Sequence, residues 1–155
     1  MIQRIQSVYL ILTTILAGLF LTGNFFQINN CDSSRLIMNI RGIYEASSGD
    51  EFLLTVTVMP VMVISLLVPV LSLITILLYR NRKFQIKAAI ILIALELLLI
   101  IIAAYYIFSF IGIENGRIIP VFRMFIPALN VLLALLALRG IRKDENLVKS
   151  YDRLR

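Results

Sequence analysis

The stretch that decides the fold is AAIILIALELLLIIIAAYYIFSFIGI, residues 88–113, in which one ionisable side chain, Glu96, interrupts a run of aliphatic and aromatic residues. The hydrocarbon core of a bilayer is about 30 Å thick and needs about 20 helical residues. This stretch is therefore long enough to span a membrane as a helix. A carboxyl group is costly wherever it meets lipid, so Glu96 is expected to face other helices or water.

The composition of the whole chain agrees with a membrane protein. Its 155 residues are 60% hydrophobic and 15% charged, whereas about a quarter of the residues in a soluble domain are charged. The net charge of +6 comes from basic residues in loops and tails beside apolar runs, which membrane topology explains better than nucleic-acid binding. The sequence has no histidine and one cysteine, Cys31, which excludes an intrachain disulfide and a Cys/His zinc cluster.

Three further apolar runs predict an all-α four-helix transmembrane bundle over residues 1–138. The predicted spans are about 7–26, 52–79, 88–113 and 118–138. A signal peptide is the alternative for the first run, but neither a small-x-small cleavage site nor a lipobox follows it, so an uncleaved helix is expected. Pro60, Pro69 and Pro127 fall inside predicted spans, and Pro120 lies near the first turn of the fourth. Neighbouring helices satisfy the carbonyls that such prolines free, and Pro69 predicts a bend near mid-membrane.

The connection between the first two spans, residues 27–51, is the only sizeable segment predicted to lie outside the membrane. Residues 35–44 partly alternate, with the period of a half-buried strand. The apolar members are Leu36, Met38 and Ile40. Residues 25–28 are expected to pair with this strand as a short β-hairpin.

The end of this loop, Ser47 to Asp50, predicts a turn into the second helix. Ser48 or Asp50 is expected to cap that helix, and Glu51 is favourable against its dipole. The whole loop is interpreted as a lid over one end of the bundle, with a partner-binding loop as the alternative.

The distribution of Lys and Arg predicts the orientation. Eleven basic residues lie in the N-terminus, the second loop and the tail: Arg4, Arg80, Arg82, Lys83, Lys87, Arg139, Arg142, Lys143, Lys149, Arg153 and Arg155. Four lie in the outer loops or the fourth span: Arg35, Arg41, Arg117 and Arg123. Both termini are therefore expected in the cytoplasm.

Polar residues inside the spans are the candidates for function. At about 1.5 Å per residue from the cytoplasmic ends, Glu96, Asn130, Thr13, Thr14 and Ser72 all come to about 13 Å or slightly less. A polar layer across the bundle is expected. Each span also carries a stripe of small or polar residues where helices are expected to meet. The stripes are Ser7, Thr14, Gly18 and Thr22; Ser65, Pro69 and Ser72; Ala89, Glu96 and Ala103; and Arg123, Asn130, Ala134 and Ala137.

Two interpretations of Glu96 remain open. It is either a hydrogen-bonded structural acid, tied to Asn130, to threonine hydroxyls or to another subunit, or a protonatable site in a transport path. The sequence offers no second titratable group at that depth, which favours the structural role. Arg123 is interpreted as an arginine that snorkels to the outer interface, with a partnership to Glu96 or to an acid of the outer loop as the alternative.

An enzyme is not expected. No histidine or cysteine lies at a membrane boundary to act as base or nucleophile, and no Gly-rich phosphate loop follows a strand. The paired carboxylates, Asp50-Glu51 and Asp144-Glu145, are interpreted as residues at helix ends. No cofactor or metal is predicted.

The tail, residues 139–155, predicts a basic amphipathic helix in the cytoplasm. Its basic residues are Arg139, Arg142, Lys143, Lys149, Arg153 and Arg155. Gly140 is expected to separate it from the fourth span and let it lie flat on anionic lipid. Docking to a cytoplasmic protein is the alternative.

The two ends of the chain carry a resemblance. MIQRIQ at residues 1–6, with LRGIRKDE at 138–145 and DRLR at 152–155, is similar to a family of small four-span inner-membrane proteins of Gram-negative bacteria, classed as a domain of unknown function. The resemblance implies the four-span fold and the cytoplasmic membrane, and it implies no activity. The sequence thus predicts a non-catalytic accessory or structural subunit of a membrane complex, with a membrane-protein partner or a homo-oligomer. The alternative is a small transporter or proton-coupled carrier that uses Glu96 and Asn130.

Overall fold

The computed structural model describes residues 5–29, 35–46, 52–114 and 117–153. The helices are α1 (Ile5–Leu21), α2 (Met59–Leu77), α3 (Arg82–Glu114) and α4 (Ile126–Arg153). The strands are β1 (Phe26–Asn29), β2 (Arg35–Met38), β3 (Gly42–Ala46), β4 (Phe52–Thr57) and β5 (Arg117–Pro120). Short 3-10 turns, Leu78–Arg80 and Phe122–Phe125, precede α3 and α4.

The helices pack as a four-membered bundle in which α1 and α3 each contact both α2 and α4. Three of the helices, α2, α3 and α4, are long and apolar enough to cross a membrane, while α1 is an apolar helix of 17 residues. The chain is thus mostly helical, with a small β-sheet at one end of the bundle.

The outward faces of the helices are apolar and the interior carries polar groups. Exposed side chains include Ile11, Ile15, Val63, Leu67, Val70, Ile91, Leu98, Ile101, Leu132 and Leu136. Buried polar side chains include Thr13, Ser65, Ser72, Thr75, Glu96 and Asn130. Soluble monomers rarely expose apolar surface on this scale. In a membrane the same arrangement gives lipid apolar contacts and lets polar groups bond between helices.

The predicted hairpin is confirmed. β1 pairs antiparallel with β2, with Phe26 opposite Met38 and Ile28 opposite Leu36. Leu36 and Met38 are buried against the bundle, as the alternation predicts. The hairpin is part of a larger sheet with the order β4-β3-β2-β1-β5.

The alternating segment at residues 35–44 forms two strands instead of one. Its chain reverses at Asn39, whose side-chain oxygen accepts hydrogen bonds from the main-chain N–H groups of Arg41 (2.8 Å) and Gly42 (3.2 Å). An asparagine that bonds its own backbone ahead makes such turns. Alternation alone does not mark the reversal, because the pattern continues through it.

The predicted second span, residues 52–79, is wrong in its first part. Phe52–Thr57 is β4, paired with β3, and the helix begins at Met59 with Pro60 in its first turn. The β-branched run Thr55-Val56-Thr57 suits a strand, and proline suits a helix start because its missing N–H is not needed there. Ser48, Asp50 and Glu51 lie outside the described residues; the residue that precedes α2 is Val58, which makes no side-chain cap.

The other span boundaries also differ from the predictions. The first helix ends at Leu21, and Phe26 already belongs to β1. The predicted fourth span, 118–138, begins as β5 and a 3-10 turn, and its helix starts only at Ile126. Pro120 is the last residue of the edge strand β5, and edge strands are where sheets tolerate proline. Pro127 is the second residue of α4, where the first turn of a helix tolerates proline.

Gly140 does not separate the tail from the fourth helix, because α4 is continuous from Ile126 to Arg153. An added Cβ at Gly140 would lie 2.7 Å from Cγ of Gln6, so the glycine lets α1 and α4 approach closely. Ile141, one residue further, is buried. The tail is therefore an extension of the bundle and not a detached surface helix over its described length.

Candidate intramembrane polar site

Glu96 of α3 and Asn130 of α4 form the central polar pair of the bundle. They are 1% and 2% exposed, and the Asn130 side chain hydrogen-bonds to the Glu96 carboxyl group. The structure therefore brings together the two residues whose predicted depths agree. Glu96 Oε1 and Asn130 Oδ1 have no hydrogen-bond partner in the described protein. Two buried acceptors thus remain unsatisfied by the chain itself.

A small cavity adjoins this pair. Its volume accessible to a water-sized sphere is about 10 Å³, which is enough for one water molecule. All four helices contribute to its described lining: Ala17 and Phe20, Ser65 and Val68, Glu96 and Leu99, Pro127 and Asn130. Glu96 is the one ionisable group in that lining. The cavity has room for one water molecule and no larger solute.

A second polar contact joins α1 to α2. The Ser72 hydroxyl donates to the main-chain carbonyl of Leu10 (2.9 Å). The Thr14 hydroxyl lies 3.0 Å from Ser72 Oγ and 2.9 Å from the same carbonyl. Thr13 is buried, but its hydroxyl donates to Tyr9 in its own helix (2.9 Å).

The five predicted members of the polar layer therefore divide between two contacts. Glu96 pairs with Asn130, and Thr14 with Ser72, while Thr13 bonds only within α1 among the interactions that the structure describes. Ser65, which lines the central cavity, belongs to a predicted stripe but not to the predicted layer. Ser65 lies seven residues, or two helical turns, before Ser72 and therefore on the same face of α2; this spacing could have predicted that Ser65 also faces the interior.

The predicted small-residue stripes have buried members on α2, α3 and α4, whereas no member of the α1 stripe is buried, although Thr14 of that stripe contacts Ser72 of α2. Ser65, Ser72, Ala89, Ala134 and Ala137 are buried. In α1 the buried residues are Gln6, Leu10, Thr13, Ala17 and Phe20. An added Cβ at Gly18 would meet nothing within 4 Å, so this glycine is not a close-packing site.

At the end of the bundle where the chain's tail lies, Asp144 of α4 links three helices. Its carboxylate accepts a hydrogen bond from the Gln6 amide of α1, and its main-chain carbonyl accepts one from the Arg82 guanidinium of α3. Gln85, also of α3, donates to the Thr75 carbonyl of α2 (3.2 Å). Sequence reasoning missed this cluster because it assigned Asp144 to a solvated helix end.

Basic side chains surround this cluster. Arg139, Arg142 and Lys143 of α4 are exposed, as are Lys83 and Lys87 of α3. Lys149 and Arg153 belong to α4 in their backbone, but their side chains lie outside the described part, as does all of Arg155. Residues 82–87 and 139–153 are called the basic extension below.

Arg123 lies at the opposite end of the bundle, in the 3-10 turn before α4. It is half-buried, and its guanidinium packs so closely on Gly23 that a Cβ there would overlap it. It is not part of the described lining around Glu96. Asp50 and Glu51, its predicted alternative partners, lie outside the described residues. No group of three or more potential metal ligands occurs in the described part of the chain.

These features define a helical bundle of membrane-protein type, with polar contacts between its helices and a small sheet over one end. Residues 2–154 match the family described as Domain of unknown function (DUF4293), and the chain belongs to that family. Searches of curated proteins and of solved structures return no match to the chain.

Proposed function

We propose that this protein is a non-catalytic subunit of a larger complex in the bacterial inner membrane, with four spans and both termini in the cytoplasm. In this proposal α1 also spans the membrane, in addition to α2, α3 and α4. Its 17 residues are about 26 Å long, slightly short of a hydrocarbon core of about 30 Å, and local bilayer thinning accommodates the mismatch. The sheet then lies on the outer side and the basic extension on the cytoplasmic side.

The observation that carries the proposal is the division of charge in the basic extension. Its bases at Lys83, Lys87, Arg139, Arg142 and Lys143 are exposed. Its two acids with described side chains, Asp144 and Glu145, are half-buried, and both interact with other groups; Asp144 accepts a hydrogen bond from Gln6. With five bases exposed and both described acids half-buried, the described part of this helix pair presents a positive surface. Such a surface suits an acidic protein partner.

The length of α3 and α4 supports a helical extension of the bundle on the cytoplasmic side. α3 and α4 have 33 and 28 residues, or about 50 and 42 Å, whereas a bilayer core is about 30 Å thick. The extension is fixed in direction by the Gln6–Asp144 and Arg82–Asp144 contacts. Because Asp144 lies beside the first turn of α1, only the part of α4 that follows Asp144 projects beyond the bundle in this proposal. Its direct continuation of α4 favours protein docking over a tail that lies flat on lipid.

The test is purification in mild detergent from cells that express the protein at its native level, followed by quantitative mass spectrometry. The proposal expects a partner membrane protein at a fixed stoichiometry. A clean homo-oligomer without a partner, or enrichment of anionic lipid alone, would contradict it.

A small proton-coupled carrier is the second candidate, and the unpartnered Glu96 Oε1 in the central cavity favours it. Proton flux into proteoliposomes that contain the purified protein separates the two. The subunit proposal expects no flux above that of empty liposomes. A flux that disappears in Glu96→Gln while the variant still folds and assembles would favour the carrier.

A further inference from the structure

The central cavity has the properties of a site for one small hydrogen-bond donor. Glu96 Oε1 and Asn130 Oδ1 are both buried acceptors without a partner in the described protein, and both residues line the cavity. Buried polar groups left unpaired cost free energy, so native proteins satisfy nearly all of them with protein or ordered water. The cavity has room for about one water molecule.

We infer that this cavity binds a single water molecule, which donates one hydrogen bond to Glu96 Oε1 and one to Asn130 Oδ1. Water has two donor hydrogens, and the site has two unsatisfied acceptors. The Ser65 hydroxyl, which donates to the Met62 carbonyl (3.0 Å), is a third polar group in the wall. The water would thus link α3 to α4 opposite a polar residue of α2.

A metal cation fits the site less well than water. The side-chain oxygens in the described lining come from Glu96, Asn130 and Ser65 alone. Ca²⁺ takes six to eight oxygen ligands and Mg²⁺ about six, and the cavity has no room for a cation that brings further waters. No basic residue of any of the four helices is among the lining residues described. The Asn130 amide in that lining already bonds Glu96, and the Ser65 hydroxyl bonds the Met62 carbonyl. If the Glu96 carboxyl is protonated, the same water accepts its hydrogen and still donates to Asn130 Oδ1.

The water site does not depend on whether the bundle is a subunit or a carrier. The first test is a crystal structure of the full chain in a lipid phase at a resolution that shows ordered waters. We expect one peak within hydrogen-bond distance of both orphan oxygens, unchanged when Na⁺ is replaced by Rb⁺. An empty cavity would overturn the inference, and so would an anomalous Rb⁺ signal at the peak.

The second test uses the sign of a cavity-filling substitution. Val68→Ile adds one methylene to the cavity wall, which normally stabilises a protein if the cavity is empty. If the cavity holds a water that satisfies two acceptors, the same substitution expels it, leaves both acceptors unpaired and lowers the thermal midpoint by a few degrees. A rise in the midpoint would overturn the inference.

Overpacking also lowers stability, so the substitution needs a matched background. In Glu96→Gln the new amide supplies a donor to Asn130 Oδ1, so that the pair needs no water. Val68→Ile should therefore lower the thermal midpoint clearly less in the Glu96→Gln background than in the wild type. Equal losses in both backgrounds would assign the effect to overpacking and contradict the water site.

Discussion

The side-chain amide of Gln6, near the start of α1, donates a hydrogen bond to Oδ2 of Asp144 on α4, 138 positions along the chain. The same Gln6 side chain packs against Gly140, one helical turn before Asp144. This contact ties the first helix to the last, and it places the basic extension in the bundle. Gly140 is therefore a packing residue rather than a hinge.

Gly140→Ala should destabilise the protein even though alanine favours a helix by about 1 kcal/mol over glycine. The new methyl would lie 2.7 Å from Gln6 Cγ and would displace the side chain that bonds Asp144. In a Gln6→Ala background the clash is gone, so Gly140→Ala should then stabilise. Thermal unfolding in nanodiscs measures the effect of Gly140→Ala on stability in the wild-type and in the Gln6→Ala background. A Gly140→Ala effect of the same sign in the two backgrounds would refute the close approach.

Ser72→Ala should weaken the α1–α2 contact, because it removes the donor to the Leu10 carbonyl and the neighbour of the Thr14 hydroxyl. Hydrogen bonds between membrane helices contribute about 0.6 kcal/mol on average and at most about 1.7. A double-mutant cycle with Thr14→Val should give a coupling free energy in this range. Ser109→Ala, at an exposed position in α3, is the control and should leave stability unchanged. Zero coupling would contradict the contact.

Gly42→Ala should detach β4 from the sheet. An added Cβ would lie 2.6 Å from the main-chain oxygen of Val56, which cannot move without breaking the β3–β4 pairing. Backbone amides of β4 should then exchange with deuterium at least tenfold faster than in the wild type. Gly18→Ala is the matched control, since its methyl meets nothing within 4 Å; it should leave exchange in β4 unchanged.

The proposed orientation can be checked with single cysteines in a Cys31→Ser background. Thr55 of β4 and Lys143 of α4 are both exposed and lie toward opposite ends of the bundle. A membrane-impermeant maleimide added to spheroplasts should label Thr55→Cys, while Lys143→Cys should react only after the membrane is opened. The reverse pattern would place both termini outside the cell.

The sequence predicted those features that follow from the depth of a residue in the membrane or from the periodicity of its apolar residues. Equal distances along α3 and α4 predicted the Glu96–Asn130 pair, and period-two alternation predicted the β1–β2 hairpin. β4 could not be found in this way, because Phe52–Thr57 is apolar and runs directly into α2. A short apolar run has the same appearance in a strand and in a helix.

The errors at Gly140 and in the α1 stripe have a related cause. A glycine inside a helical pattern suggests a break in the helix, but it also occurs where a neighbouring helix packs too closely for a Cβ. At Gly140 the close neighbour is the Gln6 side chain of α1, 134 positions earlier in the sequence. In α1, Thr13 and Ala17 face the bundle, whereas the stripe of Ser7, Thr14 and Gly18 is only half-buried. Small residues occur on both faces, so composition alone does not choose between them. Both outcomes are set by tertiary contacts.

The central claim, that the basic extension docks a protein partner, is tested most directly by charge reversal in it. The measurement is the amount of partner that co-purifies at native expression with Arg139→Glu/Arg142→Glu, relative to wild type. We predict a loss of at least tenfold, whereas the charge-conserving Arg139→Lys/Arg142→Lys and the outer-end control Arg41→Glu should each retain most of the partner. Undiminished partner with the reversed charges, or equal loss with Arg41→Glu, would contradict the account.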